Sequence, residues 1–126
     1  MSNAFVILFH TGHGNDHLDL LLDLQDGPLA TWQLMASPID IGKAGTIAAV
    51  KLPDHRRKYL QYEGPISGGR GEVRRVDAGS VQVLESTTDR LLLEFSGTLL
   101  TGRWVLQRRQ DNEWAFSLEE TRASGQ

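Results

Sequence analysis

Short runs of alternating or wholly apolar residues recur along this chain, each closed by glycine, proline, aspartate or asparagine. Phe5 to Phe9 is a compact apolar run with the length of a buried strand. His17 to Leu24 carries more information. Read with period two, Leu18, Leu20, Leu22 and Leu24 share one face, and His17, Asp19, Leu21 and Asp23 share the other. A helix would scatter those polar groups around its axis, so a strand fits better. Asp26-Gly27-Pro28 supplies a turn, and Leu29 to Leu34 reads as the returning strand of a hairpin. Past Ser37-Pro38, a loop rich in Asp and Gly leads to a strand over Thr46 to Leu52, which Pro53-Asp54-His55 is expected to break.

Arg56 to Tyr62 fits a short helical turn or the start of another strand. Gly64-Pro65 and Gly68-Gly69-Arg70-Gly71 make a glycine-rich loop. Beyond it, strands are predicted over Glu72 to Val76, Ser80 to Leu84, Arg90 to Phe95, Arg103 to Arg108 and Glu113 to Leu118. Asp77-Ala78-Gly79, Ser86 to Asp89, Gly97 to Gly102 and Gln110 to Asn112 separate them. Many short strands at spacings of roughly 8 to 12 residues predict an all-β sandwich or barrel. Trp32, Trp104 and Trp114 lie in strand patterns and are expected in the core. No repeat or linker divides the chain, so residues 1–126 read as a single domain, with 121–126 a disordered tail.

Composition narrows the chemistry. The chain has 126 residues, of which 40 % are apolar and 23 % charged, an ordinary globular balance. A formal charge of −3 excludes a domain that is basic overall. Contact with nucleic acid would need a local patch, and cations cluster at Arg56-Arg57-Lys58, Arg70 with Arg74-Arg75, and Arg103 with Arg108-Arg109. Each cluster taken alone also fits a solvated face. There is no cysteine, which rules out disulfides and thiolate catalysis and leaves His, Asp and Glu as metal ligands. Apolar runs fall short of the ~20 residues that span a bilayer, and the N-terminus lacks the order of a signal peptide. A cytoplasmic protein without membrane contact is the expectation.

Three of the four histidines, His10, His13 and His17, fall close together with Asp16 and Asp19 among them. On the expected strand His17 and Asp19 project the same way, ~7 Å apart at Cβ, within reach of one divalent ion. His10, ending the preceding strand, would be brought back as a third ligand. Two imidazoles and a carboxylate with open positions suit catalytic Mn²⁺ or Zn²⁺ rather than a closed structural site. The same residues also fit a polar, solvent-facing strand edge. Asp54-His55 with Tyr59 fits acid or phosphate-contact chemistry, and equally a turn or cap. The glycine loop matches neither a Walker loop nor a dinucleotide fingerprint.

Taken in order, these pieces resemble the 3′-phosphoesterase domain of bacterial DNA ligase D. Phe5-Val6-Ile7-Leu8-Phe9-His10 looks like the family's first strand, and His17-Leu18-Asp19 is similar to its His-Tyr-Asp signature. Leu22-Asp23, Asp26-Gly27-Pro28-Leu29 with Thr31-Trp32, Ala48-Ala49-Val50, Asp54-His55, Tyr59 and Tyr62-Glu63-Gly64-Pro65-Ile66 follow in place. Val73 through Asp77-Ala78-Gly79, Phe95-Ser96-Gly97, Leu100-Thr101-Gly102-Arg103-Trp104 and Trp114 complete a match over roughly residues 5 to 118.

The resemblance implies a compact β-barrel of about eight short antiparallel strands with little helix. It implies a Mn²⁺-dependent hydrolase (Zn²⁺ or another divalent ion being the alternative) that removes a 3′-ribonucleoside or 3′-phosphate in DNA repair. His10, His17 and Asp19 would hold the metal, His55 would contact the scissile phosphate, and Tyr59 would support it. His13 is a rival to His10, because one residue is inserted between His10 and His17. Implied partners are the 3′ end of a DNA or RNA primer-template and a ligase or polymerase acting in trans. Two family arginines of the phosphate site are replaced, one by Leu21 and one by Ile47 or Thr46, which implies weakened activity. A non-catalytic metal- or nucleic-acid-binding relative is the alternative, and a phosphoesterase for a small metabolite a third reading.

Overall fold

The computed structural model describes residues 3–119 except 26 and 44; the expected tail and Asp26 of the predicted turn lie outside the described residues. Nine strands follow in order: β1 Asn3–Thr11, β2 His17–Leu22, β3 Leu29–Leu34, β4 Thr46–His55, β5 Gly64–Pro65, β6 Glu72–Ser86, β7 Arg90–Ser96, β8 Thr101–Gln110 and β9 Glu113–Leu118. A single turn of 3₁₀ helix, η1, spans Arg57–Leu60. All pairings are antiparallel, in the order β1-β2-β3-β4-β9-β8-β7-β6, and β6 pairs again with β1. That last pairing closes an eight-stranded barrel, onto which the two-residue β5 is added beside β6. The expected all-β barrel is what the chain forms.

The alternation predicted for β2 decides its two faces. Leu18, Leu20 and Leu22 point into the barrel with Phe5 and Ile7 of β1, and all are fully buried. The tryptophans join them: Trp104 stacks on Phe116 with centroids 4.6 Å apart, and Trp32 meets Trp114 edge-on at 5.4 Å. Leu21 differs from a solvent-facing residue. It lies on the outer face yet is buried, in a second apolar cluster with Val6, Leu8, Leu29 and Val73. Tyr59 and Leu60 of η1, with Tyr62 and Ile66, cover that cluster from outside. Part of the barrel wall is therefore buried on both faces, and the covering segment leads directly into the cleft described below.

Gly64-Pro65, expected as loop, forms the short β5 beside β6, and two predicted breaks also continue as strand. Pro53-Asp54-His55 continues β4, because β4 reaches its pairing with Leu29 through a register shift and proline has no ladder bond to lose there. Asp77-Ala78-Gly79 is not a turn either, since β6 runs unbroken from Glu72 to Ser86. The β1–β6 register shifts beside Asp77, and bulges of this kind bend a strand enough to close a barrel. The buried Asp77 carboxylate there accepts the backbone N–H groups of Ala78, Thr98, Leu99 and Leu100 at 2.7 to 3.0 Å. The ambiguous stretch after His55 is the 3₁₀ turn rather than a strand.

Candidate functional site

The outer face of the β1–β2 hairpin changes character along its length. Val6 pairs with Leu21, Leu8 with Asp19, and His10 with His17. Apolar pairs that serve the second cluster thus give way, within two rungs, to a carboxylate and two imidazoles. One ligand atom from each of His10, His17 and Asp19 lies within 4.8 Å of the others. His13 is outside this convergent set; its ring stacks over His10 at 6.3 Å. The structure therefore brings together the three residues expected from the sequence and leaves His13 beside them, outside the convergent set.

Both imidazoles are oriented by backbone carbonyls. His10 Nε2 donates to the Arg70 carbonyl at 2.7 Å, and His17 Nδ1 donates to the Asn15 carbonyl at 2.9 Å. A carbonyl can only accept, so these contacts fix the tautomers and leave His10 Nδ1 and His17 Nε2 unprotonated in the neutral rings. The His17 Nε2 lone pair then lies 3.3 Å from Asp19 Oδ1. That oxygen is buried without a hydrogen-bond partner among the described residues, and Asp19 is only 3 % exposed. Burial pushes the Asp19 carboxyl above the usual carboxylate range, against the opposing pull of His17, His55 and His10. A lone pair facing a buried, unpartnered carboxylate is unfavourable unless a proton or a cation lies between them. Imidazoles held by carbonyls at their second nitrogen are the usual surroundings of a metal-bound histidine, so these residues fit a divalent ion.

The hairpin forms one wall of a cleft of about 270 Å³. His55, at the end of β4, and Tyr59, on η1, also line it, with ring centroids 5.9 Å apart. His55 Nδ1 donates to the Pro53 carbonyl at 3.1 Å, which leaves Nε2 available. Continuation of β4 through Pro53 is what delivers His55 here. Arg57 anchors η1 with two 2.7 Å bonds to the Asp23 carboxylate, whose pKa the guanidinium lowers.

The cleft is locally basic in an acidic chain. Arg56, Lys58 and Arg70 line it along with His10, His13 and His55, against only Asp19 and Asp54. Asp54 is engaged by Lys51 at 3.4 Å, and Lys58 lies 5.2 Å from the Tyr59 ring and 5.0 Å from Tyr62. Two of the three basic clusters seen in sequence thus reach this face, while Arg103 and Arg108 of the third pair with Glu94 and Asp89.

A sequence profile of the DNA ligase D 3′-phosphoesterase domain matches residues 9–108. The chain belongs to that family. Among curated proteins, none matches it significantly. The matched span includes the histidine cluster, His55, Tyr59 and the glycine loop, and membership places the domain in the context of DNA-end processing. Among the described residues no helix is long and apolar enough to cross a membrane.

The two positions where the family resemblance leads one to expect arginines differ in kind. Leu21 is at the cleft's flank, where it fills the second cluster. Ile47, at the far end of β4, packs against the main core and is not part of the cleft lining. One site residue that the sequence pattern did not reveal is the Arg70 main chain. No residue-type signal marks a carbonyl that orients a histidine; only the close approach of two glycine-containing loops, at Gly12 and Gly71, hints at it.

Proposed function

We propose that this domain is a 3′-end phosphoesterase of DNA or RNA, dependent on a divalent metal, with Mn²⁺ as the expected ion. His10, His17 and Asp19 would hold the metal, and His55 and Tyr59 would serve the phosphate. The observation that carries the reading is the buried, unpartnered Asp19 oxygen beside two carbonyl-oriented imidazoles, opening onto a basic cleft. A metal there would supply Lewis-acid charge to a phosphoryl oxygen.

The remaining work falls to side chains of this chain. His55, with Nδ1 fixed on Pro53, presents Nε2 as a donor to a phosphoryl oxygen or to the departing oxygen when the ring is protonated. Tyr59, packed edge-on against it, limits rotation of the imidazole. Lys58, spread over two tyrosine rings, adds charge where a nucleic-acid backbone would pass. A ligase or polymerase acting in trans is the proposed setting, in the cytoplasm.

Leu21 favours a second reading, a binding domain without hydrolysis, because a buried leucine cannot donate to a phosphate. One pair of measurements separates them: Mn²⁺ titration of the metal-stripped protein, and release of phosphate from a 3′-phosphorylated primer-template. The expected outcome is Mn²⁺ binding with turnover, and in His55→Ala a loss of roughly 10²-fold or more in rate with metal binding kept. Metal binding without turnover would support the second reading, and no metal binding would overturn the metal-dependent phosphoesterase reading together with its assignment of His10, His17 and Asp19.

A further inference from the structure

We propose that Arg70 is the residue that recognises a terminal phosphomonoester in this cleft, while its own backbone carbonyl sets the tautomer of His10. The proposal rests on the phosphoesterase reading and narrows its substrate to chains that end in a phosphate dianion. Three cations line the cleft, and they differ in how they are held. Lys58 is spread over Tyr59 and Tyr62. Arg56 makes no side-chain hydrogen bond or ion pair among the described residues. Arg70 alone is pre-oriented by its loop: Nε donates to the Ser67 carbonyl at 2.8 Å and Nη2 to Ser67 Oγ at 3.3 Å. Its Nη1 edge makes no bond, and the guanidinium pairs with no carboxylate, among the described residues. A planar fork with one edge anchored and the other open is suited to phosphate oxygens.

The loop that carries Arg70 is fixed on the metal side of the cleft. Gly71 has a φ of +80°, and a Cβ there would lie 2.0 Å from the Thr11 carbonyl oxygen, so only glycine permits this contact with the end of β1. The Ile66 N–H donates to the Gly71 carbonyl at 2.8 Å and closes the loop on itself. The result places the Arg70 carbonyl on His10 and leaves Arg70 in the lining of the same cleft. An internal phosphodiester carries one charge, whereas a terminal monoester carries nearly two at neutral pH. An oriented guanidinium without a carboxylate partner favours the second.

The test compares binding of oligonucleotides that end in a 3′-phosphate or a 3′-hydroxyl by the full chain in EDTA, which prevents turnover. The wild type is expected to prefer the phosphate end on the order of tenfold. Arg70→Ala should lose that preference and lower the slope of log K against log salt by about 0.7. Arg70→Lys should keep only part of it, since an ammonium lacks the fork. Mn²⁺ affinity, measured separately, should be unchanged in Arg70→Ala, because the backbone carbonyl remains. The proposal is overturned if Arg70→Ala keeps the preference, if Arg56→Ala loses it instead, or if Arg70→Ala loses Mn²⁺ binding as well. A wild type that prefers the phosphate end but never hydrolyses it would defeat the phosphoesterase reading and leave the role of Arg70 intact.

Discussion

Replacing Asp19 with asparagine should make the metal-free protein more stable and the metal-loaded protein less stable than the wild type. Asp19 is 3 % exposed, and one oxygen has no partner. A buried uncompensated charge costs several kcal/mol, and nearby imidazoles offset part of that. An amide of the same shape retains only the smaller penalty of an unsatisfied polar group, which leaves a net gain of about 1–2 kcal/mol. For a domain of this size that corresponds to a rise of about 3–10 °C in Tm. With Mn²⁺ at a hundred times its Kd, the wild type gains about 2.7 kcal/mol from binding, and the variant should gain little. The two proteins should therefore exchange rank between EDTA and saturating Mn²⁺. Thermal or urea unfolding in both conditions measures this directly. If Asp19→Asn is the less stable protein in EDTA, the carboxylate has a structural partner and the argument from the unpartnered oxygen is wrong. If Mn²⁺ stabilises the variant as much as the wild type, Asp19 is not a ligand.

Three further outcomes test the frame around the site. The Arg57 hydrogen bonds hold the Asp23 pKa below the ordinary carboxylate value, so their stabilisation is present above that value and is lost as pH falls through the lowered one. Acid unfolding curves should consequently be flatter in Asp23→Asn than in the wild type. Asp77→Ala leaves four buried or half-buried backbone N–H groups without their acceptor and should cost about 3 kcal/mol or more, with Asp77→Asn milder, read by urea midpoint. Leu21→Arg, which restores the family's residue type, should destabilise by several kcal/mol rather than raise activity, because the side chain enters an apolar cluster; a stable, faster variant would show that the cluster opens easily.

The barrel was legible because its strands alternate, and alternation reports burial of one face. Where burial follows another rule the reading fails. Leu21 sits at a position that the period assigns to the polar face, yet η1 and the segment after it cover that face. Asp77 reads as a turn former in sequence because aspartate is common in turns; its actual task, accepting the N–H groups of Thr98, Leu99 and Leu100, depends on the turn between β7 and β8, more than twenty residues on. Pro53 reads as a terminator, but the register shift between Leu29 and Thr31 spares the missing N–H. The convergence of two imidazoles and a carboxylate was readable as a local pattern, His17-x-Asp19 with a histidine on the preceding strand. The choice between His10 and His13 was not, since the Arg70 carbonyl that orients His10 belongs to a loop sixty residues on.

The sheet order also bears on how the chain folds. The last strand, Glu113–Leu118, sits between β4 and β8, so the wall stays open until the C-terminal strand arrives. Closing β4 onto β9 and β1 onto β6 costs the entropy of long loops, and topologies rich in such contacts fold slowly. The histidine and aspartate cluster is different: His10 and His17 face each other across one short hairpin, whose loop is quick to close. The histidine and aspartate cluster thus forms within one local hairpin, whereas His55 stands two strands on, at the end of β4, where its rung partner is Leu29 of β3.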